Sequence, residues 1–191
     1  SRSFRKQTMQ QFREILEINL VGTVNVVHPI FRHMCEHGGG NIIVSTSAAG
    51  LFGEFGLPAY STAKAGLIGL MRSLSLEGLP KKVWVNAIAP YAATQMTVDH
   101  MSDDMSADLD PAHVAPVVAW LATCTASGEI LVAGGGKVAR ARMRISQPSA
   151  AAKMAGNERQ MLWASAVDVE YDSAGQHFSE FAASLKFGAD T

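Results

Sequence analysis

The run "NIIVSTS", residues 41–47, follows three glycines and has no polar face. A short, β-branched apolar stretch of this kind reads as a strand buried on both sides, as in a parallel sheet covered by helices. Upstream of it, Thr8 followed by Gln11 forms a capping-box pattern. Phe12, Ile15, Leu16, Ile18, Val21 and Val24 then recur at helical spacing, so a long amphipathic helix is expected. Pro29 should bend or end that helix locally, and "EHGGG" at 36–40 should stop it. Downstream, a second helix is expected from Pro58 to about Leu76, with Leu67, Leu70, Met71 and Leu74 on one face. "EGLPKK" closes it. "VWVNAIAP" (83–90) reads as a strand, "PAHVAPVVAWLATC" (111–124) as a helix after a loop containing "SDDMSAD", and "GEILVAGGG" (128–136) as a third strand ending in glycines.

Helix and strand alternating three times predict right-handed crossover units on a parallel sheet, that is, an α/β doubly wound fold. From residue 137 the rhythm breaks. "KVARARMR" is locally basic, "SQPSAAAKMAGNERQMLWA" looks helical and "QHFSEFAASLKF" reads as a weak amphipathic helix. The expected organisation is therefore a catalytic part over 1–136 and a C-terminal helical extension over 137–191.

Bulk properties narrow the function. The 191 residues carry a net charge of −1, with 48% hydrophobic and 17% charged residues, which fits one soluble globular domain. Such balance gives no basic field for nucleic acid. No apolar run approaches the roughly 18 residues that span a bilayer. Cys35 and Cys124 lie far apart without zinc-type spacing and read as small core residues of a reduced, cytoplasmic protein. His33 and His37 are spaced like paired metal ligands but lack a third, so a solvated helix face is expected. The glycine runs 38–40 and 134–136 lack phosphate-loop order and are assigned to turns. Arg140, Arg142 and Arg144 read as a surface strip, with a CoA phosphate as the alternative partner.

The chemistry-bearing residues cluster around the first strand. Tyr60 and Lys64 are four apart and share one face at the start of a helix. A tyrosine hydroxyl ordinarily titrates near about 10, and an adjacent ammonium favours its phenolate, so Lys64 would tune Tyr60 for general acid/base work. Ser47 ends the strand, at the edge where open α/β sheets bind ligands. A buried aromatic and a surface lysine would show the same spacing; the joint placement with Ser47 and the following "NAIAP" strand favours chemistry.

Those residues carry a resemblance. "EINLVGT", "IIVSTSAAG", "YSTAK" and "VNAIAP", spread over roughly residues 2–136, resemble the short-chain dehydrogenase/reductase family. "RSF", "SAAGLFGEFGLPAYSTAKAGLIGL", "IAPYAATQMT" and "HVAPVVAWL" look like its (3R)-hydroxyacyl-CoA dehydrogenase group. That group includes the dehydrogenase part of the peroxisomal multifunctional β-oxidation enzyme and is also described as a 17β-hydroxysteroid dehydrogenase. The resemblance implies Tyr60 as acid/base, Lys64 as its activator and ribose ligand, Ser47 as the substrate-orienting hydroxyl and Asn19 as holder of a relay water. It also implies that Pro90, Tyr91 and Thr94 lie against an NAD or NADP cofactor. Tyr91 stands where the family has glycine, which puts the local backbone path in question. Thr94 has a helix cap as its alternative role, and Asn19 a plain helix-face one.

By the same comparison, roughly 90 residues with the glycine-rich dinucleotide turn of the complete fold are missing ahead of Ser1, so a fragment of a longer enzyme is expected. The implied reaction interconverts a secondary alcohol and a ketone. Its substrate is a (3R)-hydroxyacyl-CoA, with a hydroxysteroid or a non-enzymatic interaction domain as alternatives. A homodimer or homotetramer is implied, cytoplasmic, or peroxisomal in a eukaryotic multifunctional enzyme.

Overall fold

Thr8 caps the first helix as its sequence demands: its Oγ1 accepts from Gln11 N at 3.2 Å, while Gln11 Oε1 accepts from Thr8 N at 3.2 Å. A computed structural model describes residues 3–94, 108–146, 168–170 and 174–186. Helix α1 (Met9–Leu16) runs through one π-helical turn, Glu17–Val21, into α2 (Gly22–Glu36). Pro29 lies inside α2 without ending it. The irregularity thus falls at 17–21 and leaves the helix intact to the glycine stop, where Gly38, Gly39 and Gly40 all take positive φ. Gly39 has a physical reason: a Cβ there would come within 2.2 Å of Lys82 O.

Strand β1 (Gly40–Ser45), the short helix α3 (Ala48–Phe52), the long α4 (Pro58–Gly78) and strand β2 (Val83–Pro90) follow. Helix α5 (Ala115–Leu121) is shorter than the expected 111–124, because Asp110 caps a separate 3-10 turn, Pro111–His113, before it. Strand β3 (Ile130–Gly134) completes the parallel sheet β1-β2-β3, with Gly40 opposite Val83 and Ala87 opposite Ile130. Beyond it the chain makes a turn on Gly135 and Gly136, whose φ values of 55° and 69° match a tight two-residue hairpin. Strand β4 (Lys137–Ala141) then returns antiparallel along β3. The sheet therefore continues past residue 136, and the first compact unit runs to Ala141.

The two faces of the sheet are covered differently. Ile42, Val44, Val83, Val85, Ala87 and Ile130 point to one side, packed with Val27 of α2 and Ile68 and Met71 of α4. Ile88, Leu131 and Ala133 point to the other, with Ile43 beside them, packed on Leu121, Val117 and Val118 of α5. Both crossovers step the same way, β1 to β2 and β2 to β3, yet α4 and α5 lie on opposite faces. Two such crossovers must have opposite hands, so the expectation of uniformly right-handed units is corrected. The handedness rule assumes a strand feeding directly into its crossover helix. Here residues 91–114 intervene before α5, which removes that constraint.

The second unit, 142–191, is described by itself. It holds a two-stranded antiparallel pair, β5 (Arg144–Ser146) with β6 (Asp168–Glu170), and helix α6 (Ala174–Lys186). Helix α6 matches the amphipathic segment expected near 176–187, whereas most of the helix expected around 146–164 lies outside the described residues. The extension is therefore helical and stranded rather than helical alone.

Candidate active site

Helix α4 begins with Pro58 at its first turn, a position where the missing N–H costs nothing, and Tyr60 follows immediately. One turn on, Lys64 reaches back so that its Nζ lies 5.5 Å from the Tyr60 ring centroid, a cation–π separation. The same ammonium donates to Ser45 O at 2.8 Å, tying the helix to the carboxyl end of β1. Burial holds the Lys64 pKa below its ordinary 10.5, because desolvation penalises the charged form.

Thr46, next to that carbonyl, is 2% exposed and closes a second tie: its Oγ1 donates to Lys64 O at 2.8 Å while its N donates to Ile88 O at 2.8 Å. Gly50 completes the junction, since a Cβ there would sit 2.7 Å from Lys64 C. Sequence reasoning missed both residues. The only signal for Thr46 was a hydroxyl in the middle of a buried strand end, and glycine within "SAAG" reads equally well as a turn.

Ser47 takes extended backbone and caps α3, its Oγ accepting from Ala49 N at 3.2 Å. The proton of that hydroxyl goes to no described residue. Parallel register sets Ser45 opposite Ile88, so Ser47 falls level with Pro90 at the carboxyl edge of the sheet. Tyr91 keeps the pairing with β3 for one step more, donating from N to Ala133 O at 2.7 Å, and its side chain is exposed. The glycine missing at 91 is matched by Gly134 across the ladder: a Cβ on Gly134 would approach Tyr91 O to 2.5 Å. Thr94 is exposed on the segment leaving β2.

Asn19 lies within the π turn, where its Nδ2 donates to Ile15 O at 3.1 Å and its own carbonyl accepts from Thr23 Oγ1 at 3.2 Å. Single π turns inside α-helices recur at functional sites. The next residue, Leu20, packs on α4 against Gly66, where an added Cβ would meet Leu20 Cδ2 at 3.0 Å. The structure thus brings Tyr60, Lys64 and the β1 terminus into contact and sets Ser47, Pro90 and Tyr91 along one sheet edge. Asn19 bonds to its own helix.

Two hollows adjoin these residues. One, of about 320 Å³, lies between α1 and the start of α4, lined by Gln7, Gln11, Glu14, Leu57 and Tyr60 among others. The other, of about 570 Å³, is apolar and runs from Pro90 and Ala92 to Val114, just ahead of α5, and Val118 within it. The remaining sequence candidates fall elsewhere. His33 and His37 stack at 4.1 Å near the C-terminus of α2, and no group of three metal-capable side chains occurs among the described residues. Arg140 pairs with Glu129, and Arg142 with Glu170. Cys35 and Cys124 are half-buried and unbridged, each at the margin of a different core cluster. No described helix is long and apolar enough to cross a membrane.

Comparison with known proteins gives the family and the fold. Residues 1–114 match the family model of short chain dehydrogenases. A short-chain type dehydrogenase/reductase of Mycobacterium tuberculosis is 41% identical over 140 residues, 72% of this chain and 49% of that protein. The mouse peroxisomal multifunctional enzyme type 2 is 34% identical over 74% of this chain and 20% of its own length. An acetoacetyl-CoA reductase of Acinetobacter is 33% identical over 70% and 59% respectively. The solved Drosophila peroxisomal multifunctional enzyme type 2 superposes with a TM-score of 0.82 at 23% identity, over 97% of this chain and 36% of that one, which speaks for the fold. The chain spans about half the length of the mycobacterial relative and a smaller share of the multifunctional enzymes. With the family model covering more than half of it, the chain belongs to the short-chain dehydrogenase family.

Proposed function

We propose that this chain is the catalytic part of an NAD- or NADP-dependent oxidoreductase that interconverts a (3R)-hydroxyacyl-CoA and its 3-keto thioester. The observation that carries the reading is the contact of Tyr60 with a partly desolvated Lys64, anchored to the carboxyl edge of the sheet beside Ser47. The names of the multifunctional and acetoacetyl-CoA relatives support the thioester class.

The residues present fit the nicotinamide end of such a cofactor. Pro90 falls level with Ser47, Tyr91 and Thr94 follow it out of the sheet, and the Lys64 ammonium is tied to Ser45 O at that edge. A bound nicotinamide would accept or return the hydride. Tyr60 would hand a proton to, or take one from, the substrate oxygen, which Ser47 would orient through its O–H. Lys64 would keep that proton mobile, and Asn19 would hold a water in the relay behind it. Uncharged walls in the hollow beside Pro90 and Ala92 suit an acyl chain. The exposed Ile18, Val26 and Ile30 of the long helix and Leu76 of α4 offer apolar surface for pairing two copies.

The test is oxidation of a (3R)-hydroxyacyl-CoA, followed by the absorbance of the reduced nicotinamide, with NAD and NADP and beside the Tyr60→Phe variant. Loss of about 10²–10⁴ in kcat for the variant supports the assignment. Silence of the unaltered protein with acyl-CoA and steroid alcohols alike, together with no nicotinamide binding, would replace it with a non-enzymatic interaction domain.

A further inference from the structure

The proposed reaction gives the Tyr91 side chain no task. Along β2, Val83, Val85 and Ala87 face the α4 side of the sheet and Ile88 the α5 side. Tyr91 N donates to Ala133 O at 2.7 Å, which carries the pairing with β3, and with it the alternation of faces, one residue past the strand. Tyr91 therefore projects on the α4 side, the side of Tyr60 and Lys64. Two further observations agree. The apolar hollow of about 570 Å³ on the α5 side is lined by Pro90 and Ala92 but not by the residue between them. Gly134 follows Ala133, the register partner of Pro90, and a Cβ on it would come within 2.7 Å of Tyr91 Cβ. Gly134 takes no positive φ, so the constraint it meets is this contact rather than a turn. The Tyr91 backbone is thus fixed by its neighbours, while the residue remains 47% exposed at the carboxyl edge. A substrate whose oxygen meets Tyr60 on the α4 side and whose chain enters the hollow on the α5 side has to cross the sheet edge at Pro90. Tyr91 stands beside that crossing. Gly134 contributes no side chain there, so the bulk at this part of the edge is the Tyr91 ring.

Resting on the thioester reading above, we propose that Tyr91 is a specificity-determining residue whose ring narrows the crossing, so that the substituent on the far side of the reacting carbonyl must be an unbranched chain and a ring on that carbon is excluded. A steroid ketone, bound into a ring on both sides of its carbonyl, is excluded by the same contact. Tyr91 acts by shape; it takes no part in proton or hydride transfer.

The probes are 3-oxononanoyl-CoA, which carries a hexyl chain on the carbonyl, and 3-cyclohexyl-3-oxopropanoyl-CoA, which carries the same number of carbons closed into a ring. On the full protein, kcat/KM for reduction of each is read with NADH and NADPH, and binding of each is read by ligand-observed NMR. The unaltered protein should favour the hexyl thioester in both. Tyr91→Ala should raise the cyclohexyl-to-hexyl ratio by more than about tenfold, since a misfit of one methylene in an apolar pocket is already worth about 10–200-fold. Tyr91→Phe, which keeps the ring, should hold the ratio of the unaltered protein, and thermal melting identifies any variant that has failed to fold. An unchanged ratio in Tyr91→Ala, or a preference of the unaltered protein for the cyclohexyl thioester, overturns the assignment. Reduction of neither thioester would overturn the reaction, and NMR selectivity that depends on Tyr91 would then leave the gate standing. Binding of neither overturns both.

Discussion

The two faces of the sheet are held by different forces. On the α2/α4 face, Met71, Val83, Val85 and Ala87 are fully buried in one continuous apolar cluster. On the α5 face the apolar cluster is smaller, and two asparagines secure the loops around it. Asn41 donates from Nδ2 to Leu121 O at 3.0 Å and Cys124 O at 2.7 Å, at the end of α5. Asn86, wholly buried, donates to Ala126 O at 2.8 Å and accepts from Glu129 N at 3.0 Å. The face that carries Tyr60 and Lys64 is thus a broad apolar foundation, and the opposite face is a short helix tied down by amides. Apolar packing tolerates shifts in direction, whereas an amide bonded at both ends fixes a loop to one place.

The largest expected effect is on the apolar side. Met71→Ala should lower unfolding free energy by about 2–5 kcal/mol, read from urea denaturation, since it removes a long side chain from a fully closed site. Asn86→Ala should cost less, about 2 kcal/mol, through the stranded Ala126 carbonyl and Glu129 amide. If the two variants prove equally damaging, the contrast between the faces fails.

Gly50→Ala sharpens the comparison within the apolar face. Its Cβ would meet the Lys64 and Ala65 backbone at 2.7–2.9 Å, so α3 must shift on α4 at a cost of about 1–3 kcal/mol. Because Ser47 caps α3, turnover should fall further in this variant than in Met71→Ala when both are assayed below their melting temperatures.

The smallest effect concerns pH. Lys64 has a lowered pKa in the folded state, so between that value and 10.5 the unfolded chain binds more protons and stability rises with pH. Below the lowered pKa the burial cost is present in full. Lys64→Met should abolish that alkaline rise, which thermal melts across pH 7–11 would register as a flatter profile.

Much of the candidate site's geometry was legible because its signals are local. A spacing of four on a helix brings Tyr60 and Lys64 together whatever surrounds them. Capping at Thr8, the strands at 41–45 and 83–90 and the long helix from Pro58 follow equally from neighbouring residues. Thr46 and Gly50 were illegible because their partners lie in α4, many residues away, and strand-end hydroxyls and small residues have many uses.

By itself the sequence determined the order and type of the main elements up to β3, the side-chain types at residues 47, 60 and 64, and the family. Periodicity and side-chain type act over one or two turns of chain and need no partner. Only the tertiary structure decided that α5 covers the opposite face from α4, that β4 returns antiparallel to extend the sheet, and that the helix distortion falls at Asn19 rather than Pro29. It also decided that the Lys64 ammonium is bound to Ser45 O. Each of these depends on which distant groups can satisfy one another once apolar surface is buried, and that is a property of the whole packing rather than of any stretch of it.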